Sequence, residues 1–246
     1  MRLANKVAVI SGAASGIGLA TALKFGKEGA TVIVCDLNQE HIDAAVAQIT
    51  AAGGKAAGYI VDVTNNEQIG AMREDVLQKF GRIDVLCNIA GIVMDAQLSK
   101  MTEEQFDRVI DINLKGTYNM ARAVVNDMIA QESGVILNTS SVVGVYGNFG
   151  QTNYAATKFG VIGFVKTWAR ELGKKGIRAN AICPGFVATP MVNSVPEKVL
   201  ESMRARVPMR RLAEPEEIAN LFAFLASDEA AYINGAAIEI TGGLTL

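Results

Sequence analysis

The chain has 246 residues, about half of them apolar and 20% charged, with a formal net charge of −2. So near-neutral a balance gives no electrostatic footprint for nucleic acid or an anionic membrane surface, and the expectation is a protein with neither as partner. A single histidine, His41, leaves little from which to build a metal site or a Ser-His-Asp triad, and no metal is expected. The three cysteines, Cys35, Cys87 and Cys183, are far apart and sit in or beside apolar runs, which reads as buried free thiols. The chain starts Met-Arg-Leu-Ala-Asn-Lys without a signal-peptide pattern, and no apolar run approaches the about 18 residues of a membrane span. A cytoplasmic location is the expectation.

Short β-branched runs alternate with longer helical stretches along the whole chain. Strands are predicted at residues 7–10, 31–35, 57–61, 85–87, 134–138, 178–183 and 236–240. They are apolar nearly throughout, as strands are when both faces of a parallel sheet are covered. Helices are predicted at 16–28, 39–52, 65–80, 102–131, 153–174 and 215–226. Repeated βαβ units predict an α/β fold: one Rossmann-type, doubly wound domain spanning 1–246, about seven parallel strands with helices on both faces. The irregular stretch at about 186–214 carries Pro190, Pro196 and Pro208, with one short helix expected near 197–206; a loop of that length is read as a substrate lid.

The first strand runs into Ser11-Gly12-Ala13-Ala14-Ser15-Gly16-Ile17-Gly18. A glycine-rich turn opening a helix brings backbone amides to a pyrophosphate, and Gly12, Ser15, Gly16, Ile17 and Gly18 are the candidates. The second strand ends in Cys35-Asp36-Leu37, where an acid binds the adenosine ribose hydroxyls. No arginine stands at position 15 or directly after Asp36 to receive a 2′-phosphate, so NAD(H) is favoured over NADP(H). Asp62-Val63 and Asn88-Ile89-Ala90-Gly91 close the third and fourth strands at the ligand-binding edge. Asp62 is either an adenine contact or a helix N-cap; Asn88, Ala90 and Gly91 shape the turn under the cofactor. Asn113 interrupts an otherwise apolar helical stretch, which suggests a buried polar role.

Tyr154 and Lys158 stand one helical turn apart, so a helix projects both from one face. A phenol beside an ammonium is a proton donor whose pKa the positive charge lowers. Ser141 is positioned to meet the same substrate oxygen, with Ser140 as the alternative. Tyr146, Asn148, Phe149 and Gln151 lie between Ser141 and Tyr154 and are expected on the substrate side, with Met94 and Gln97 opposite. After Pro184-Gly185, Val187 and Thr189 are candidates for the nicotinamide carboxamide, Thr189 being otherwise a turn residue. Met191, Val192 and Val195 would give the lid an apolar face.

These residues, in this order along the whole chain, resemble the short-chain dehydrogenase/reductase family. Ser11 stands where that family usually has threonine, and Ile89 replaces its second asparagine. The resemblance implies hydride transfer with Tyr154 as proton donor, Ser141 as hydrogen-bond donor, Lys158 on the ribose hydroxyls, and Asn113 holding a water that relays protons to Lys158. Within the family the chain is similar to 3-oxoacyl reductases. Glu132, at a position near the site's mouth where carrier-protein-dependent members tend to be basic, argues for a CoA thioester over a carrier protein, although Lys174-Lys175 remain. A secondary alcohol or ketone dehydrogenase is the alternative, and a non-catalytic nucleotide-binding scaffold the distant one. The resemblance also implies a homotetramer using faces near Ala155, Phe159, Gly163 and Trp168; a monomer burying those residues itself is the alternative.

Overall fold

The computed structural model describes residues 1–190 and 197–245. Seven strands form one parallel sheet: β1 (Val7–Ser11), β2 (Thr31–Asp36), β3 (Lys55–Ile60), β4 (Val85–Asn88), β5 (Gly134–Thr139), β6 (Ile177–Pro184) and β7 (Ala237–Ile240). Their spatial order is β3-β2-β1-β4-β5-β6-β7, so the direction of winding reverses between β1 and β4. Ligand crevices open at the carboxyl ends of strands on either side of such a reversal.

The central strands are buried on both faces, as their apolar runs demand. The outer strands depart from the expectation. β3 carries exposed residues, starts at Lys55 and ends at Ile60, because its register pairs Lys55 with Thr31 and Ile60 with Asp36. Asp62 and Val63 therefore lie beyond the strand. An edge strand needs only one neighbour, and polar residues such as Lys55 blunt its free side.

Helices cover both faces. On one, α1 (Gly16–Lys27), α2 (Gln39–Ala51) and α9 (Pro215–Ala226) pack Phe25, Ile42 and Phe222 against Ala8, Ile10 and Val34. On the other, α3 (Asn66–Phe80), α5 (Gly116–Gln131) and α7 (Thr152–Leu172) pack Met72, Met120 and Val165 against Val9, Ile33 and Leu86. The stretch expected as one helix over 102–131 is three pieces: α4 (Glu103–Val109), a π-helical segment Ile110–Lys115, then α5. Thr102 starts it with a full capping box to Gln105. A four-residue helix, α6 (Val143–Tyr146), was not legible in the pattern, while α8 (Glu197–Arg206) lies where a short helix was expected. A third small apolar cluster, Val142, Val143, Val207 and Leu244, is joined by Tyr154 and Phe186 and supports the base of the α8 segment.

Candidate active site

A cleft of about 1110 Å³ opens at the carboxyl edge of the sheet, across the β1–β4 reversal. Its floor at β1 is dictated by backbone proximity. Gly12 has φ +66°, and a Cβ on it would lie 2.8 Å from Ala90 Cα. A Cβ on Gly18 would lie 1.8 Å from the Gly12 carbonyl oxygen, so only glycine fits the first turn of α1. Ser15 precedes α1 in extended conformation without capping it, and the first turn carries no acidic residue. The helix therefore presents unblocked N–H groups and a positive potential toward the cleft, the arrangement that receives a pyrophosphate.

Asp36 and Leu37 line the same cleft. The Asp36 carboxylate accepts hydrogen bonds from the Ala14 N–H at 3.0 Å and the Leu37 N–H at 2.8 Å, which fixes it beside the glycine turn. Asp62 also lines the cleft and is not the cap of α3: Asn65 accepts from Glu67 and Gln68, whereas Asp62 accepts from the Thr64 N–H and hydroxyl at 2.8 and 2.7 Å. Val63 lines it too, locked against Gly116 of α5, where a Cβ would lie 2.5 Å from Val63 Cγ2.

The turn after β4 is held from below. The Ser11 hydroxyl accepts from the N–H groups of Ile89 and Ala90 at 3.2 and 3.3 Å, which is the use of the hydroxyl at that position. Ala90 and Gly91 line the cleft, but Asn88 is corrected to a scaffold residue. Its buried amide donates to Asn138 Oδ1 at 2.8 Å, tying β4 to β5 rather than facing a ligand. Asn113 lies in the π segment, fully buried. Its Nδ2 donates to the Ile92 carbonyl at 2.9 Å and its Oδ1 accepts from the Ile92 N–H at 2.8 Å. Both ends of the amide are thus engaged by one backbone residue, and the side chain positions the 91–93 segment. A Cβ on Gly91 would lie 3.2 Å from Asn113 Oδ1 and 3.6 Å from Lys158 Nζ, so this glycine lets the three meet.

Tyr154 and Lys158 project from the first turns of α7 into the cleft, with Ser141 facing them from the end of β5. The start of α7 is fixed by Asn153, whose Oδ1 accepts from the Tyr154 N–H at 2.7 Å and whose Nδ2 donates to the Met94 and Gln105 carbonyls. Ser140 is excluded as the substrate donor, because its hydroxyl donates to the Lys158 carbonyl at 2.8 Å. Ser141 Oγ accepts from the Val143 N–H, which leaves its proton available for donation. The expected lowering of the Tyr154 pKa is not seen. Burial pushes the phenol up to about 12, while the Ser141 hydroxyl works in the lowering direction and the Asp95 charge adds to the rise. Burial also pushes Lys158 down to about 8. Its Nζ donates to the Thr139 carbonyl at 2.7 Å.

Pro184, Gly185, Val187 and Thr189 complete the cleft as expected. Ala188 N–H donates to the Ala213 carbonyl at 2.8 Å, and Thr189 Cγ2 stands 3.4 Å from where a Gly16 Cβ would be. The substrate-side expectations fare differently. Tyr146, Asn148, Phe149, Gln151, Met94 and Gln97 are not among the lining residues. Left-handed backbone at Gly147 and Gly150, φ +77° at each, carries the loop outward. Tyr146 bonds Glu239, Phe149 is 82% exposed, and Gln151 bonds Asn148 and Asp95. In their place Ile92, Val93, Phe186 and Met203 supply apolar wall, and Glu104, Asp107, Arg108 and Asp111 supply charge from α4 and the π segment. Their signal in sequence was the amphipathic spacing after Thr102, but assigning a face needed the π turn. Met191, Val192 and Val195 lie outside the described residues.

A dinucleotide fits these residues: the glycine turn admits close backbone approach, Asp36 stands beside it, and Thr139 Oγ1 is a buried hydroxyl with no protein partner in the cleft wall. Glycine turn, strand-end acid and Ser-Tyr-Lys set on a doubly wound sheet define a Rossmann-type dehydrogenase/reductase. A family model described as enoyl-(acyl carrier protein) reductase matches residues 12–245. A 3-oxoacyl-[acyl-carrier-protein] reductase FabG of Thermotoga maritima is 53% identical over 246 residues, covering 100% of both chains. A (3R)-3-hydroxyacyl-CoA dehydrogenase of Homo sapiens is 42% identical, covering 99% of this chain and 97% of that one. A solved structure described as "Crystal structure of gox2181" superimposes with a TM-score of 0.95 at 34% identity, covering 98% of this chain and 96% of that one. The chain belongs to the short-chain dehydrogenase/reductase family and is an oxidoreductase.

Proposed function

We propose that the protein interconverts a 3-oxoacyl thioester and its 3-hydroxyacyl form with NAD(H), using a CoA thioester rather than a carrier-protein one. The observation that carries the cofactor preference is Asp36, whose carboxylate is pinned beside the glycine turn by two backbone N–H groups. A 2′-phosphate there would face a fixed like charge. Two such charges about 4 Å apart repel by about 4 kcal/mol at the effective dielectric of a protein surface. The relatives' names support the acyl class and divide between the two thioester handles. The expected place of Glu132 near the mouth is corrected: Glu132 and Gly176 precede β5 and β6, where a Cβ on Gly176 would lie 2.1 Å from the Glu132 carbonyl oxygen. Glu132 therefore stands at the amino edge of the sheet, opposite the cleft, and does not bear on the choice between the two handles, which the substrate comparison below reads.

In this reading the nicotinamide supplies or accepts the hydride. Tyr154 gives its phenolic proton to the carbonyl oxygen as charge develops there. Ser141 donates a second hydrogen bond to the same oxygen. Lys158 contributes a buried positive charge that favours the phenolate left behind. Asn113 holds the Ile92 backbone, and with it the wall opposite Tyr154. The 186–214 stretch acts as the lid, and the assembly is a cytoplasmic homotetramer. No helix among the described residues is long and apolar enough to cross a membrane.

The test is a substrate and cofactor matrix: acetoacetyl-CoA, the same acyl group on a carrier protein, and plain ketones, each with NADH and NADPH. NADH-dependent reduction of acetoacetyl-CoA faster than of the other two is expected. A plain ketone preferred over both thioesters overturns the substrate, and equal use of NADPH overturns the cofactor.

A further inference from the structure

The loop that carries Tyr146 to Gln151 is drawn away from the cleft by a specific set of contacts. Gln151 Nε2 donates to both oxygens of Asp95, at 3.1 and 3.0 Å, and Gln151 Oε1 accepts from Asn148 Nδ2 at 2.8 Å. Beside that pair the Ala96 N–H donates to the Gly150 carbonyl at 2.8 Å, and Ala96 and Gln151 form a parallel bridge. One side of the junction belongs to the segment after β4, whose Ile92 and Val93 line the cleft. The other side is the residue that begins α7: Gln151 occupies the N-cap position, makes no capping bond with its side chain, and accepts from the Ala155 N–H through its carbonyl at 2.7 Å. Tyr154 follows in the first turn. A carboxylate at that helix N-terminus is favoured by the helix dipole, and its paired acceptance from an amide is stronger than a neutral bond.

We propose that Asp95 is a positioning and specificity-determining residue: through Gln151 it latches the segment after β4 to the start of α7, fixing the approach to Tyr154, and its charge disfavours acyl substrates that carry an anion to that side of the mouth. The groups facing Tyr154 are Lys158 from α7 itself, Ser141 from the end of β5 and Asp95 from across the latch; Cys183 from β6 faces Lys158. Asp95 acts on the phenol without touching it, raising its pKa. The inference rests on Tyr154 as the proton donor.

Three variants test it: Gln151→Glu, which sets two carboxylates against each other; Asp95→Asn, which removes the charge; and Asp95→Asn with Gln151→Glu, which restores an amide–carboxylate pair in reverse. The probe substrates are a neutral acetoacetyl thioester of N-acetylcysteamine and a 3-oxoacyl thioester ending in a carboxylate. Gln151→Glu is expected to raise KM for the neutral thioester by about three- to tenfold, the range of one hydrogen bond, with KM for NADH unchanged. The double variant returns it toward the wild-type value. Asp95→Asn is expected to shift the alkaline limb of the reduction profile to lower pH and to improve the carboxylate-ended substrate relative to the neutral one. Unchanged KM in Gln151→Glu, no recovery in the double variant, or an unchanged substrate ratio in Asp95→Asn overturns the proposal. Tyr154→Phe is assayed alongside: its retaining turnover defeats the proton-donor reading itself, an outcome distinct from failure of the latch.

Discussion

Lys158 Nζ lies 5.5 Å from the centroid of the Tyr154 ring and donates to the Thr139 carbonyl at 2.7 Å, not to the phenol. The two groups share a cleft wall while burial moves their pKa values apart, the phenol up to about 12 and the ammonium down to about 8, each toward its neutral form. The protein alone thus stores a desolvation penalty on both groups.

That penalty has a pH signature. The folded-state pKa of Lys158 is about 8 against an ordinary 10.5, so between these values the unfolded chain binds more protons and stability rises with pH. Tyr154, about 12 folded against an ordinary 10, works oppositely, and stability falls above about pH 10. From pH 7 to pH 9.5 the cofactor-free protein is expected to gain about 2 kcal/mol from Lys158. Urea unfolding at the two pH values checks this against Lys158→Met, which should lack the gain; parallel pH dependences would sink the assignment.

Tyr154→Phe removes the transferable proton and leaves the ring's packing. Turnover is expected to fall by about 10²- to 10⁴-fold, the usual worth of a general acid, with NADH affinity retained. Steady-state rates together with a fluorescence titration of NADH separate the two effects.

Asp36→Ala removes the carboxylate pinned beside the glycine turn. The kcat/KM ratio of NADPH to NADH is expected to rise by at least about tenfold, which corresponds to about 1.4 kcal/mol of relieved repulsion. A ratio that does not move shows that something other than Asp36 selects the dinucleotide.

Gly18→Ala and Gly70→Ala form a matched pair. At Gly18 the methyl would meet the Gly12 carbonyl oxygen at 1.8 Å, whereas at Gly70, inside α3, nothing lies within 4 Å. The first is expected to destabilise by about 3 kcal/mol and abolish dinucleotide binding. The second is expected to stabilise by about 0.5–1 kcal/mol through helix propensity alone. Thermal melts with and without NADH read both.

Gly163→Trp addresses assembly. Gly163 is exposed on α7 with nothing within 4 Å of a Cβ, on a chain that also exposes Phe159 and Tyr118. If four chains pack through this helix, the bulky ring should dissociate them with little change in the monomer's secondary structure. Light scattering that shows an unchanged mass argues against α7 as the interface.

Much of this was legible in the sequence because the cofactor side is written in local rules. The Gly12 and Gly18 spacing, Asp36 at a strand end, and Tyr154 one turn before Lys158 each need only a neighbouring strand or helix to be placed. The substrate side was not legible, because Asn148, Phe149 and Gln151 are directed by left-handed glycines and by Asp95, a partner in another loop. The hardness of Asn88 had the same origin: its partner, Asn138, is fifty residues away on the next strand. The lysine's effect on the phenol was misjudged because proximity in sequence says nothing about burial.

The π segment Ile110–Lys115 makes chain length itself a functional variable. A π turn holds one residue more than the α turn it replaces. Deleting a single residue there would relax the segment into ordinary helix, keep its apolar face and its propensity, and swing Asn113 about 100° around the axis, away from Ile92. Such a deletion would be nearly silent to composition and to gross stability, yet it would unseat the wall across from Tyr154. In this stretch the number of residues, and not only their type, sets where Asn113 points.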